Sequence, residues 1–113
     1  VEAHLRREEL TRGQAEVKFT GGFVIDYTER TVSIQGRAIS LAKKEFDIIE
    51  LLSLNVGQIF DKERIYERIW GYDSEGESSV IAEHIRRIRL KLSEAGGDNK
   101  IETVWGVGYK WVK

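Results

Sequence analysis

The chain predicts an α+β domain: a small antiparallel sheet, then three helices, then a closing β-hairpin. Three observations carry this expectation. Apolar residues alternate with period two across residues 16–41, they recur at helical spacing across residues 42–93, and two short strand-like runs flank a glycine-bearing break near the C-terminal end. A length of 113 residues suffices for one compact domain with a hydrophobic core and not for two.

In the first region Val17 and Phe19 alternate, then Phe23, Ile25 and Tyr27, then Val32 and Ile34, then Ile39 and Leu41. Gly21-Gly22, Thr28-Glu29-Arg30 and Gln35-Gly36-Arg37 interrupt these runs with turn chemistry, so four short antiparallel strands with one solvated face are expected. A sheet this small needs helices over its apolar side. The first helix is expected over residues 42–55, where Phe46, Ile49 and Leu52 form a stripe widened by Ile48 and Leu51. Asn55-Val56-Gly57 ends it. Asp61 is placed to cap a second helix bearing Ile65, Ile69 and Trp70. A polar, acidic loop follows, comprising Gly71, Tyr72, Asp73, Ser74, Glu75, Gly76 and Glu77. The third helix is expected over residues 79–93, stopped by Gly96-Gly97. Strand candidates over residues 101–105 and 109–112 close the chain, with Gly106-Val107-Gly108 as the hairpin tip. Strands, three helices and a hairpin form the order of a winged helix-turn-helix. Residues 1–15 carry only Val1, Leu5 and Leu10 as spaced large apolar groups and read as a linker or helical remnant outside a domain spanning residues 16–113.

Hydrophobic residues make up 41% and charged residues 33%, an ordinary globular balance. The absence of cysteine excludes disulfides and thiolate zinc sites and is compatible with a cytoplasmic protein. No apolar run approaches the length of a membrane span, and residues 1–14 lack the apolar core of a signal peptide, so no membrane partner is expected. His4 and His84 are the only histidines and lie far apart, which makes His84 a helix-flank hydrogen-bond partner sooner than a metal ligand. There is no G-x-S-x-G, H-E-x-x-H or phosphate loop, so neither an enzyme nor a cofactor is expected. Tyr27, Tyr66, Tyr72 and Tyr109 do not fall at the strand spacing of a base-stacking platform, which argues against single-stranded RNA.

The formal net charge of −1 argues, alone, against nucleic acid, but its distribution does not. From Ser79 to Lys113 there are seven basic residues (Arg86, Arg87, Arg89, Lys91, Lys100, Lys110, Lys113) against four acidic ones (Glu83, Glu94, Asp98, Glu102), giving +3 there and −4 elsewhere. A basic segment on an acidic body is the electrostatic footprint of a DNA binder. On a helical wheel Ile81, Ile85, Ile88 and Leu92 stack on one side, while Ser79, Glu83, Arg86, Arg87 and Leu90 project from the other, with Arg89 and Lys91 on the flanks. Such a helix fits the major groove, where an arginine fork can engage both guanine acceptors. Phosphates attract the same arginines without regard to sequence.

Several ordered motifs then resemble a known family, the OmpR/PhoB-type winged-helix output domains of two-component response regulators. They are Leu41-Ala42-Lys43-Lys44-Glu45-Phe46, Gly57-Gln58-Ile59-Phe60-Asp61-Lys62-Glu63, Ile69-Trp70-Gly71, Glu83-His84-Ile85-Arg86-Arg87-Ile88-Arg89-Leu90-Lys91-Leu92 and Ile101-Glu102-Thr103-Val104-Trp105-Gly106-Val107-Gly108-Tyr109. Val1-Glu2-Ala3-His4-Leu5-Arg6-Arg7 is similar to the last helix of a receiver domain. The resemblance implies a sequence-specific regulator that binds tandem DNA repeats as a dimer once a receiver domain is phosphorylated by its histidine kinase. It implies base and phosphate contacts from Arg86, Arg87 and Arg89, with Ser79, Glu83 and Lys91 on the same helix. It makes His84 and Trp70 phosphate-side supports, puts Thr103 and Trp105 in the wing, and assigns the loop from Gly71 to Glu77 to contact with RNA polymerase.

Three departures from the family pattern bear on function, and a fourth on stability. Ala42 stands where a Ser or Thr cap is common, so either Ser40 substitutes or the first helix frays. Glu83 replaces a small apolar residue on the groove-facing side; its carboxylate repels phosphate but can accept from cytosine N4. Ser79 and Val80 replace a more basic helix start. Trp105 occupies a position often held by a minor-groove arginine, and its indole suits either packing on sugars or anchoring the hairpin against the core. A winged helix used only for protein interaction, with Arg86, Arg87 and Arg89 as its docking face, is the alternative reading.

Overall fold

A computed structural model of the chain describes residues 16–71 and 76–112. The reading of residues 1–15 as a linker, and residues 72–75 of the acidic loop, lie outside the described residues. Four strands come first: β1 (Glu16–Phe19), β2 (Phe23–Asp26), β3 (Thr31–Ile34) and β4 (Arg37–Ile39), paired antiparallel in chain order. Phe23 lies opposite Ile34 and Ile25 opposite Val32, so the four apolar side chains share one face, and all are buried. The alternation in the sequence is thus the alternation of the pleat. Tyr27 and Leu41 fall just beyond their strands. Tyr27 turns its hydroxyl to Ser53 Oγ at 2.7 Å.

Three helices cover that face: α1 (Lys43–Ser53), α2 (Lys62–Trp70) and α3 (Val80–Glu94). From α1 the core receives Phe46, Ile48, Ile49 and Leu52; from α2 Ile65 and Tyr66; from α3 Ile81, Ile85, Ile88 and Leu92. The start of α1 is capped in a way neither sequence alternative foresaw. Glu45, at the third helical position, turns back and accepts the Ala42 N–H at 2.9 Å, which is the half of a capping box that needs no cap side chain. Asp61 caps α2 as expected, its Oδ1 accepting the Arg64 N–H at 2.7 Å. The end of α3 is a Schellman motif: Gly96, at φ +85°, donates to Ser93 O at 3.0 Å and Gly97 to Leu92 O at 2.9 Å. No helix among the described residues is long and apolar enough to cross a membrane.

The chain closes with the hairpin β5 (Ile101–Val104) and β6 (Gly108–Trp111). Its tip lies one step earlier than the glycine pattern suggested: Val107 N–H bonds Val104 O at 2.9 Å, so Trp105 and Gly106 form the turn and Gly108 opens the second strand. At the base, Trp111 and Ile101 are fully buried, Trp111 meeting Phe19 and Phe23 edge-on at 5.6 and 5.5 Å. Three backbone hydrogen bonds tie β6 to the α1–α2 connection: Phe60 N–H to Tyr109 O (2.8 Å), Tyr109 N–H to Phe60 O (2.9 Å) and Gly57 N–H to Trp111 O (3.0 Å). The contact is tight at Gly108, where a β-carbon would stand 2.1 Å from Phe60 O and 2.7 Å from Asp61 Cα.

Candidate nucleic-acid interface

The two faces of α3 separate as the wheel predicts. Ile81, Ile85, Ile88 and Leu92 are at most 1% exposed, whereas the side chains of Arg86 and Arg87 are 63% and 52% exposed on the outer side, with Leu90 beside them. Ser79, also exposed, precedes the helix in a tight turn in which Val80 and Ile81 bond back to Glu77 and Ser78.

Glu83 organises the outer face. Its carboxylate accepts two hydrogen bonds from Arg86, Nε to Oε1 at 3.0 Å and Nη2 to Oε2 at 2.7 Å, and one from Arg87 Nε to Oε2 at 3.0 Å. The spacings are i,i+3 and i,i+4, which the helix makes neighbours. The Arg86 hydrogen bonds, joined by that of Arg87, hold the Glu83 carboxyl down at about 2. The group is therefore an ionised, acceptor-only centre at neutral pH. Arg86 is raised correspondingly, first by its hydrogen bond to Glu83.

The other two cations expected to face DNA are committed within the protein. Arg89 reaches from α3 to the hairpin: Nη2 donates to Ile101 O at 2.8 Å and Thr103 Oγ1 at 2.7 Å, Nε approaches Ile101 O at 3.3 Å, and the guanidinium lies 5.8 Å from the Tyr109 ring centre. Thr103, expected as a wing contact, is thus one of the acceptors that hold Arg89. Lys91 donates to Glu45 Oε1 at 2.6 Å, satisfying a buried carboxylate. Burial alone pushes the Glu45 carboxyl up, but the Lys91 and Ala42 hydrogen bonds outweigh it and the net direction is down.

Trp70 and His84 meet at the junction of the helices, rings edge-on at 5.1 Å. Tyr66 stacks on Trp70 at 5.1 Å and the Lys44 ammonium lies 5.3 Å from the indole centre while donating to Ile69 O at 3.0 Å. His84 Nδ1–H donates to Val80 O at 2.8 Å. With that proton fixed, donation to a phosphate through Nε2 requires the imidazolium. Sequence reasoning missed Lys44 and Tyr66 in this cluster, although the i,i+4 spacing of Tyr66 and Trp70 already put the two rings on one face. Among the described residues no group of three or more His, Cys, Asp or Glu is arranged to hold a metal ion.

Trp105 overturns one expectation. It is 89% exposed at the hairpin tip, so it does not anchor the hairpin against the core; Trp111 does that. Val107, beside it, is exposed as well. The hairpin therefore presents an apolar tip.

A helix with a cationic outer face, backed by two others and flanked by a hairpin, defines the winged-helix output domains of transcription regulators. The chain belongs to the family described as "Transcriptional regulatory protein, C terminal", whose model matches residues 36–111. This is a family of regulators and not of enzymes. Transcriptional regulatory protein SpaR of Bacillus subtilis is 41% identical over 111 residues, covering 98% of this chain and 50% of that protein, so the chain spans about half the length of this relative. Among solved structures, the OmpR/PhoB homologue DrrB of Thermotoga maritima aligns with TM-score 0.77 and 33% identity over 88% of this chain and 45% of that one. The DNA-binding domain of Klebsiella pneumoniae RstA, solved in complex with the RstA box, aligns with TM-score 0.73 and 28% identity over 86% of this chain and 96% of that one. The OmpR/PhoB resemblance and the winged-helix fold read from the sequence both hold.

Proposed function

We propose that this domain binds duplex DNA with α3 in the major groove and the hairpin beside it, as the sequence-reading half of a response regulator. The observation that carries this is the outer face of α3, where Arg86 and Arg87 stand exposed directly opposite a fully buried isoleucine row. Arg87 is the principal cation of that face, because only its Nε is held by Glu83. Leu90 is suited to a thymine methyl. Arg89 and Thr103 act by fixing the hairpin, and Lys91 by fixing α1. Trp105 packs its indole on sugars and groove wall, and Trp70 and His84 lie on the phosphate side.

Titrating a cognate duplex against salt tests the proposal: log affinity should fall linearly with log salt, in proportion to the phosphates neutralised. Arg87→Ala should either lose roughly 1–3 kcal/mol of base discrimination or lower the salt slope by about one. Salt-independent binding, with Arg87→Ala unchanged in both respects, sinks the proposal in favour of a protein-docking face.

Membership of the family supports a reading of the wider partners. We infer a receiver domain and histidine kinase upstream, dimeric binding to tandem repeats, a cytoplasmic site of action, and contact with RNA polymerase through the loop from Gly71 to Glu77. Asp73, Glu75 and Glu77 are poorly suited to phosphate and well suited to a basic protein surface. Neutralising all three should lower transcription in vitro with DNA affinity intact; unchanged transcription removes the loop from that role.

A further inference from the structure

The outer face of α3 carries one feature that cationic DNA binding does not need: an exposed carboxylate at its centre. A helix built only to grip phosphate gains from Glu83 no more than the modest support of ion pairs in its first turn, while the charge opposes the polyanion and draws on both arginines. The geometry points to a different use. Glu83 is the group that selects a cytosine in the operator, Arg86 is the residue that positions it, and Arg87 engages the guanine paired with or next to that cytosine. This rests on the DNA-binding reading above and deepens it.

The lone pairs of Glu83 limit what it can bind. An ionised carboxylate has about four acceptor sites. Arg86 fills one on Oε1 and one on Oε2, and Arg87 fills the second on Oε2. One acceptor therefore remains, on Oε1, in a side chain that is 43% exposed on the groove-facing side. The side-on hold of Arg86 fixes the carboxylate in orientation, as paired N–H···O bonds to one carboxylate do. Arg87 gives only Nε to Glu83, so both of its terminal amino groups are uncommitted among the described residues.

Major-groove chemistry then decides what the free acceptor meets. Guanine presents two acceptors and thymine its O4, and both repel a carboxylate. Adenine offers N6–H, but with the N7 acceptor beside it. Cytosine offers its N4–H donor with no acceptor on its own major-groove edge, and Glu is suited to that donor. A C·G pair sets this donor next to the guanine O6 acceptor. Glu83 and Arg87, hydrogen-bonded to each other, present an acceptor next to a donor and complement it. The same carboxylate penalises any register that brings α3 against phosphate.

The test is selection of bound duplexes from a random library, followed by competition at fixed salt, for the wild-type chain, Glu83→Ala, Glu83→Gln and Arg86→Ala. The wild type should select a cytosine at one position of each half-site. Glu83→Ala should reduce that preference about 5- to 150-fold at this position alone, while raising affinity for unrelated duplexes. Glu83→Gln should move the preference toward adenine, whose N6 and N7 a carboxamide engages together. Arg86→Ala should flatten the same position, with no further loss in the Glu83/Arg86 double variant; a simple phosphate contact would instead weaken all sequences alike. Base preferences identical in wild type and Glu83→Ala, with only overall affinity raised, overturn this inference and leave duplex binding standing. A wild type that binds no duplex overturns both.

Discussion

Arg89 offers the sharpest perturbation, because its sequence context and its geometry assign it different work. In the sequence it is the third arginine of a DNA-reading helix; in the structure it ties that helix to the hairpin through Ile101 O and Thr103 Oγ1. Arg89→Ala removes the charged partner of a carbonyl belonging to a fully buried residue. Leaving such an acceptor unmatched costs about 1–3 kcal/mol, and losing the Thr103 bond adds about 0.5–1.5 kcal/mol, since that hydroxyl turns to water instead. A loss of about 1.5–4.5 kcal/mol follows, a drop of roughly 6–18 °C in Tm for a domain of this size. Urea unfolding followed by tryptophan fluorescence measures it, with buried Trp111 as reporter. Arg89→Lys separates the roles, because an ammonium keeps the charge and loses the fork. It should recover less than half of the stability while leaving the salt slope of DNA binding unchanged. If Arg89→Ala instead unfolds within about 0.5 kcal/mol of wild type and lowers the salt slope by about one, the guanidinium belongs to phosphate and the tie is wrong.

Trp105→Arg should raise affinity and make it sensitive to A-rich flanks, whose narrow minor groove rewards an inserted guanidinium; the comparison is between A-rich and G·C-rich flanking steps at one salt concentration. Equal flank sensitivity in wild type and variant refutes it. Gly108→Ala drives a methyl into the Phe60 backbone and should destabilise by about 1–3 kcal/mol in urea, with the hairpin amides losing hydrogen-exchange protection first. Glu45→Gln should cost roughly 1–3 kcal/mol at neutral pH, because Lys91 and the Ala42 N–H lose a charged acceptor. The folded-state Glu45 carboxyl is depressed, so its stabilisation is complete above the ordinary carboxylate range and is lost as pH falls through the folded value. Wild type and variant should therefore converge in acid, and a gap that persists there contradicts the assignment.

What was legible in the sequence follows from periodicity. Period two across Phe23, Ile25, Val32 and Ile34 gave the strands, and the Ile81, Ile85, Ile88 and Leu92 row gave both the buried and the outer side of α3, because each pattern is a direct projection of backbone geometry. What escaped was set by side chains long enough to choose among partners. Arg86, Arg87, Arg89 and Lys91 look equivalent in the sequence, yet one carboxylate gathers the first two and tertiary acceptors claim the others. The cap of α1 escaped for the same reason: Ala42 has no acceptor, and Glu45 supplies one from the next turn. Trp105 and Trp111 are also the same residue type. Only the position of the turn, fixed by Val104 and Val107, decides which one is covered.

The main-chain clamp between Phe60 and Tyr109 has a consequence for how operator preference changes over time. It joins hairpin to body through main-chain atoms that every residue but proline possesses, so the tip residue can be exchanged without moving the frame that aims α3. Preferences read by the helix and preferences read by the tip should then behave as independent factors that multiply. Arg87→Ala and Trp105→Arg combined should give the sum of their separate free-energy effects within about 0.5 kcal/mol. A domain built this way can drift in its taste for flanking DNA while its half-site recognition stays under selection, which lets duplicated regulators part company one contact at a time.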